Sequence, residues 1–179
     1  MSLVLAVLLV ALALGWLGGG SLDQLGGVPL RSRRLVVAAL VVQLAGALVG
    51  GPFFPVSLVL SVGLVGRFLS RNRGVRGTGL VALGLLANAI VVTANGAMPV
   101  SAAATARAGL PTRGLPAGAD VRHEPAGDAT RLPWLGDIIP VALPLRPEVI
   151  SPGDVLLAAG LAQLVLAGML RQTGRDVQP

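Results

Sequence analysis

The stretch Leu3–Leu17, LVLAVLLVALALGWL, holds ten Leu or Val and no charged side chain. A surface helix of a soluble domain carries one apolar stripe, whereas this run is apolar all round. At about −0.3 to −0.6 kcal/mol for each Leu or Val, transfer into a bilayer is favourable by several kcal/mol. A lone strand would leave backbone groups unpaired in hydrocarbon, so the run predicts a spanning α-helix. No basic residue precedes it, and the nearest cations, Arg31, Arg33 and Arg34, follow it. A secretory signal has the opposite order, so the run is expected to be retained as a membrane helix.

Four further apolar stretches lie outward from it: Leu35–Gly51, Phe53–Leu69, Gly79–Met98 and Asp154–Leu170. Each is near the lower limit of about 17 residues for a helical span. Composition agrees. The chain is 54% hydrophobic and only 12% charged, half the charge of a soluble domain, with mean hydropathy +0.80. The expected class is therefore all-α, an integral membrane bundle of five transmembrane helices with a long extracytoplasmic loop before the last. Its parts are residues 1–98 with four helices, the loop 99–153, and the last helix with its tail, 154–179. Scarce aromatics and abundant Gly and Ala suit close helix packing, with Gly46–Gly50 and Ala158–Ala162 at the right spacing.

Charge sets the orientation. All fourteen basic residues are Arg, giving a net charge of +6. Nine of them fall in loops 18–34 and 70–78, at the end of the third stretch, or in the tail 171–179, against Asp23 and Asp176 alone. On the other side, residues 96–153 balance five Arg with five acids. The positive side is cytoplasmic, so the N-terminus is expected outside and the C-terminus inside a bacterial inner membrane. Arg without Lys is the usage of a GC-rich bacterial genome. The bilayer is the first partner expected, with a membrane-protein partner second. Nucleic acid is not expected, because the excess charge sits in short loops between apolar stretches. Trp16 and Phe68 are assigned to the inner interface, and Phe53, Phe54 and Trp134 to the outer one.

No cysteine is present and His123 is the one histidine. Thiol chemistry is excluded, and neither a metal site nor a cofactor is expected. The first half of the outer connection, about Ala102–Thr130, is Ala-, Gly-, Pro- and Arg-rich and is expected to be loosely ordered. Its second half, residues 132–145, reads LPWLGDIIPVALPL, too proline-dense for a helix and too apolar for open water. It is expected to lie at the interface or dip into the bundle.

Two sets of polar residues stand out. Gln43, Asn88 and Gln163 fall near the centres of their spans, where carboxamides commonly bond across helices. A polar path for substrate or proton is the other reading. At the outer end, Asn95, Asp137 and Asp154 can converge. Asn95-Gly96 also has the form of a helix C-cap. Ser151-Pro152-Gly153-Asp154 has the form of a helix start. An Asp inside the apolar run at 137 has no such local role. Two carboxylates in a partly dry site would separate in pKa and supply an acid and a base, with Asn95 orienting a carbonyl.

Those residues carry a resemblance. Asn95-Gly96-Ala97-Met98-Pro99, Leu135-Gly136-Asp137 and Gly153-Asp154 are similar to a run shared by an uncharacterised bacterial membrane-protein family, domain of unknown function 5317. The likeness covers about Asn88–Gly160 and implies membrane location with an ordered outer motif, but no activity. Asn95-Gly96-Ala97 with Asp137 and Asp154 also resembles signal peptidase II, an aspartyl enzyme that processes lipoproteins. That family, however, puts helices between its Asn run and first Asp, and has Asn-x-Ala before its second, where Pro152-Gly153 stands here. The expected function is a scaffold or partner-binding membrane component. The alternative is a membrane-embedded aspartyl hydrolase acting on a peptide or lipid-linked substrate, with Asp137, Asp154 and Asn95 catalytic. A transporter ranks third, for want of ionisable residues within the spans.

Overall fold

The computed structural model describes residues 2–110, 122–142 and 146–170. The five apolar stretches form helices within a few residues of the expected bounds: α1 Ser2–Leu17, α3 Arg34–Val49, α4 Phe53–Arg71, α5 Thr78–Asn95 and α7 Pro152–Met169. A one-turn helix, α2 (Leu22–Gly26), was not expected. The capping box behind it is legible, since the Ser21 hydroxyl accepts from Gln24 N at 3.2 Å and the Gln24 carbonyl from Ser21 N at 3.0 Å. α5 stops at Asn95 rather than Met98 because Gly96 turns left-handed at φ 91° and Pro99 has no N–H to continue.

Contacts order the long helices in a row: α3 against α4, α4 against α5, α5 against α7, α7 against α1. Neighbours along the chain alternate in direction. Gly46 of α3 meets Ser57 of α4, and Leu35 packs near Phe68 and Leu69 at the opposite end. Gly77, just before α5, and Gly84 within it meet Gly160 and Gly153 of α7, which fixes those two helices as antiparallel. Gly15 lies against Met169, so α1 and α7 run parallel. Seven-residue glycine spacing on both members of the α5–α7 pair lets the backbones approach closely. A Cβ on Gly84 would stand 2.5 Å from Gly153 O, and one on Gly160 would stand 2.7 Å from Val81 N. The expected Gly46 contact is present. Gly50 is a turn residue instead, at φ 69° with nothing near it.

Much of the apolar surface points outward. Leu17 is 80% exposed, Leu48 79% and Leu40 69%, with further exposed Leu and Val along α1, α3, α4 and α5. α5 and α7, with mean hydropathies of 1.7 and 1.5, are long and apolar enough to cross a membrane, while α1 and α3 are apolar but shorter. The aromatics divide by exposure. Phe54 and Phe68 are buried between helices, whereas Trp16, Phe53 and Trp134 are exposed.

The connection 99–153 also departs from expectation, because its described part is ordered and contains strands. β1 (Met98–Val100) pairs in parallel with β2 (His123–Pro125), Met98 opposite His123. Between them α6 (Ala102–Arg107) starts on Ser101, whose hydroxyl accepts from Ala104 N. Ala102–Ala106 is a strong helix former once capped, and Ala104 is fully buried. Poor hydrophobicity suggested looseness, but small residues are what a close-packed turn needs. Residues 111–121 of that half lie outside the described residues. Beyond a 3₁₀ turn at Pro133–Leu135, β3 (Ile139–Val141) pairs antiparallel with β4 (Glu148–Ile150). The molecule is thus mostly helical, with two small strand pairs that an all-α expectation omitted.

Candidate functional site

The site is built where α5 ends and α7 begins. Asn88 lies seven residues before the end of α5, about 10 Å lower along the helix. Its side-chain N–H donates to Asp154 Oδ1 at 2.8 Å, and its carbonyl accepts from Ser151 Oγ at 2.9 Å. α7 therefore starts some two turns below the end of α5, and the preceding chain descends to reach it. The Pro133–Leu135 turn touches both helices.

Asp154 is the N-terminal cap partner the sequence suggested. Its backbone N–H donates to Ser151 Oγ at 3.0 Å, and its Oδ2 accepts from Ser151 N at 3.2 Å. With Asn88 on Oδ1, both carboxylate oxygens are engaged. Ser151 is completely buried. Gly153 must be glycine, since a Cβ there would overlap the Asn88 carboxamide.

Asp137 is held by its backbone on the free edge of β1. Its N–H donates to Pro99 O at 2.8 Å, and its carbonyl accepts from Ser101 N at 2.9 Å. A Cβ on Gly136 would stand 2.5 Å from Pro99 O, which explains the Gly before the Asp. The Asp137 side chain is buried, and its Oδ2 lies 3.7 Å from His123 Nε2 on β2. Burial pushes this carboxyl up from 3.8 to about 7. His123 and the amino terminus pull the other way, and the negative charges of Asp154 and Glu148 add to the rise.

Asn95 does not join the two aspartates. Its side-chain N–H donates to Val91 O and Arg131 O, both at 2.8 Å, and its carbonyl accepts from Arg131 N at 2.7 Å. It ties the incoming chain to the end of α5. Gln43 bonds across helices as expected, accepting from Ser61 Oγ of α4 at 2.7 Å. Gln163 is exposed on α7.

Asn88 bonds across helices, as its mid-span position suggests, and its partner is Asp154. His123 and Glu148 carry no local signal for the places they take. Glu148 accepts from Ser2 N at 3.0 Å and Leu3 N at 2.6 Å, so the outer segment caps α1 from a distance. Its burial favours the neutral form, but hydrogen bonds from the amino-terminal end prevail and hold it at about 2. Among the described residues, no group of three His, Asp or Glu is placed to hold a metal ion.

Chemically, the arrangement offers one carboxyl able to exchange a proton near neutrality, Asp137, which feels the charge of a carboxylate already committed to a helix end. No curated protein and no solved structure matches the chain. One family model does, over residues 27–166, which takes in Asn88, Asn95, His123, Asp137 and Asp154. On that match the chain belongs to the family of unknown function DUF5317.

Proposed function

We propose that this is a five-span protein of the bacterial inner membrane whose folded outer module, residues 99–153, serves as a scaffold or partner-binding platform. The N-terminus is outside and the C-terminus cytoplasmic. Exposed Leu and Val around α1, α3 and α4 support lipid as the solvent, because a soluble monomer rarely shows so large an apolar surface. The platform reading rests on one observation: the polar side chains of the outer motif are engaged in holding the module onto the bundle. Asn95 fastens Arg131, Asp154 and Asn88 fasten the start of α7, and Glu148 fastens α1. What remains presented is the module's surface, including Trp134, 61% exposed. A photo-crosslinking amino acid in place of Trp134 tests this in membranes. A discrete membrane-protein adduct, kept with Asp137→Asn and lost with Asn95→Ala, is expected. Absence of an adduct at Trp134 and at the neighbouring exposed Arg131 contradicts the platform.

The raised pKa of the buried Asp137, to which the Asp154 charge adds, favours a second reading, a membrane-embedded aspartyl hydrolase of peptide or lipid-linked substrates. It requires that Asp137→Asn, folded to the same thermal midpoint, abolish cleavage of such a substrate by the purified chain. Asn95, engaged with Arg131, then has a positioning role only.

A further inference from the structure

At the opposite end of the bundle, Ser32, Arg33, Arg34 and Leu35 before and within α3 face Arg67 and Arg71 at the end of α4 across a cavity of about 530 Å³. Setting positive charge on one side of a membrane needs only cations somewhere in the loops. Here four arginines, all exposed, line one hollow, which concentrates the charge in one place. Among the described residues, none of the four is in an ion pair.

The turn that borders the hollow is held by a buried clamp. Asn72 is buried, and its side chain accepts from Arg31 N at 2.8 Å while donating to Arg31 O at 3.0 Å and Phe68 O at 2.8 Å. Thr78 Oγ1 donates in turn to Asn72 O. This fixes the Arg31–Arg34 turn over the end of α4. Ser32 sits at φ 59°, a left-handed conformation that is uncommon for a residue with a Cβ. There its hydroxyl accepts from Arg71 Nη1 at 2.8 Å. Arg33 donates to Val28 O at 3.3 Å. Both guanidinium groups are thus oriented while keeping further N–H donors. Planar forks presented together are suited to the oxygens of a phosphate.

We propose that this cavity binds a phosphate group, supplied by the headgroup of an anionic phospholipid in the cytoplasmic leaflet. The lipid source rests on the membrane reading above; the phosphate chemistry does not. Basic pockets between helices at this depth are suited to such headgroups.

Native mass spectrometry of the full chain, exchanged into phosphatidylglycerol or phosphatidylcholine, reads the bound lipid directly. The double variant R33Q/R67Q is compared with R73Q/R76Q, which removes equal charge at the same end but outside the cavity. Selective retention of phosphatidylglycerol should fall about tenfold further in R33Q/R67Q than in R73Q/R76Q, the scale of charge-assisted hydrogen bonds over bare surface attraction. Equal falls, or equal retention of both lipids by the unmodified chain, overturn the site. Inorganic phosphate that displaces the lipid, and whose own binding is lost in R33Q/R67Q, identifies free phosphate as the source and keeps the site. A chain that enters no bilayer of either composition defeats the membrane reading. The cavity is then judged on inorganic phosphate alone, and absence of that binding overturns it.

Discussion

Asp137 is the residue whose chemistry most constrains the account. Its carboxyl is raised to about 7 in the fold, so it is protonated there at pH values where the unfolded chain, near 3.8, has lost the proton. The sign follows: the folded state binds more protons between about pH 4 and 7, so stability declines as pH rises through that window. Thermal unfolding in detergent is expected to show a falling midpoint from pH 5 to 7.5, flattened by Asp137→Asn. An unchanged slope in that variant contradicts the assignment. Glu148 lies outside this window, being held at about 2, and contributes above its unfolded value near 4.5. Asn88→Ala strands the Ser151 hydroxyl and frees one Asp154 oxygen in a buried setting, an expected loss of about 1–3 kcal/mol on the same assay. The sequence exposed the Ser151–Asp154 cap because its partners are three residues apart. It concealed Asn88–Asp154, separated by 66 positions, because no local spacing reports a contact that only helix packing creates.

Between elements, the α5–α7 contact brings two backbones together, and glycine is the reason. Gly153→Ala is expected to cost about 1–3 kcal/mol, because the new methyl collides with the hydrogen-bonded Asn88 carboxamide and with Gly84 O. Gly63→Ala, inside α4 with open space around it, is expected to be neutral or stabilising by up to about 1 kcal/mol. Equal effects at the two positions, measured as thermal midpoints, would remove the close-packed seam from the account. Long apolar runs made the helices legible, whereas the seam was not. Gly77, Gly84, Gly153 and Gly160 look like any other glycines in a Gly-rich chain until antiparallel packing pairs them. The strands of the outer module were equally hidden, since three-residue strands are too short for an alternating pattern to declare itself.

For the whole molecule, alternating helix directions, apolar outer faces and Arg at one end form a single claim about solvent. The end bearing Arg31, Arg33, Arg34, Arg67 and Arg71 lies opposite the end bearing Asn95, Asp137 and Glu148. Direction along the bundle was legible because it follows from the parity of apolar runs; which helix packs beside which was not. The chain contains no cysteine, so single replacements can be labelled cleanly. Gly127→Cys, in the outer module, and Gly74→Cys, between α4 and α5, occupy open positions where a side chain meets nothing. In spheroplasts treated with a membrane-impermeant maleimide, Gly127→Cys should label at once and Gly74→Cys only after the membrane is permeabilised. Labelling of both without permeabilisation, the reverse pattern, or protein left in solution after the membranes are pelleted would contradict the account.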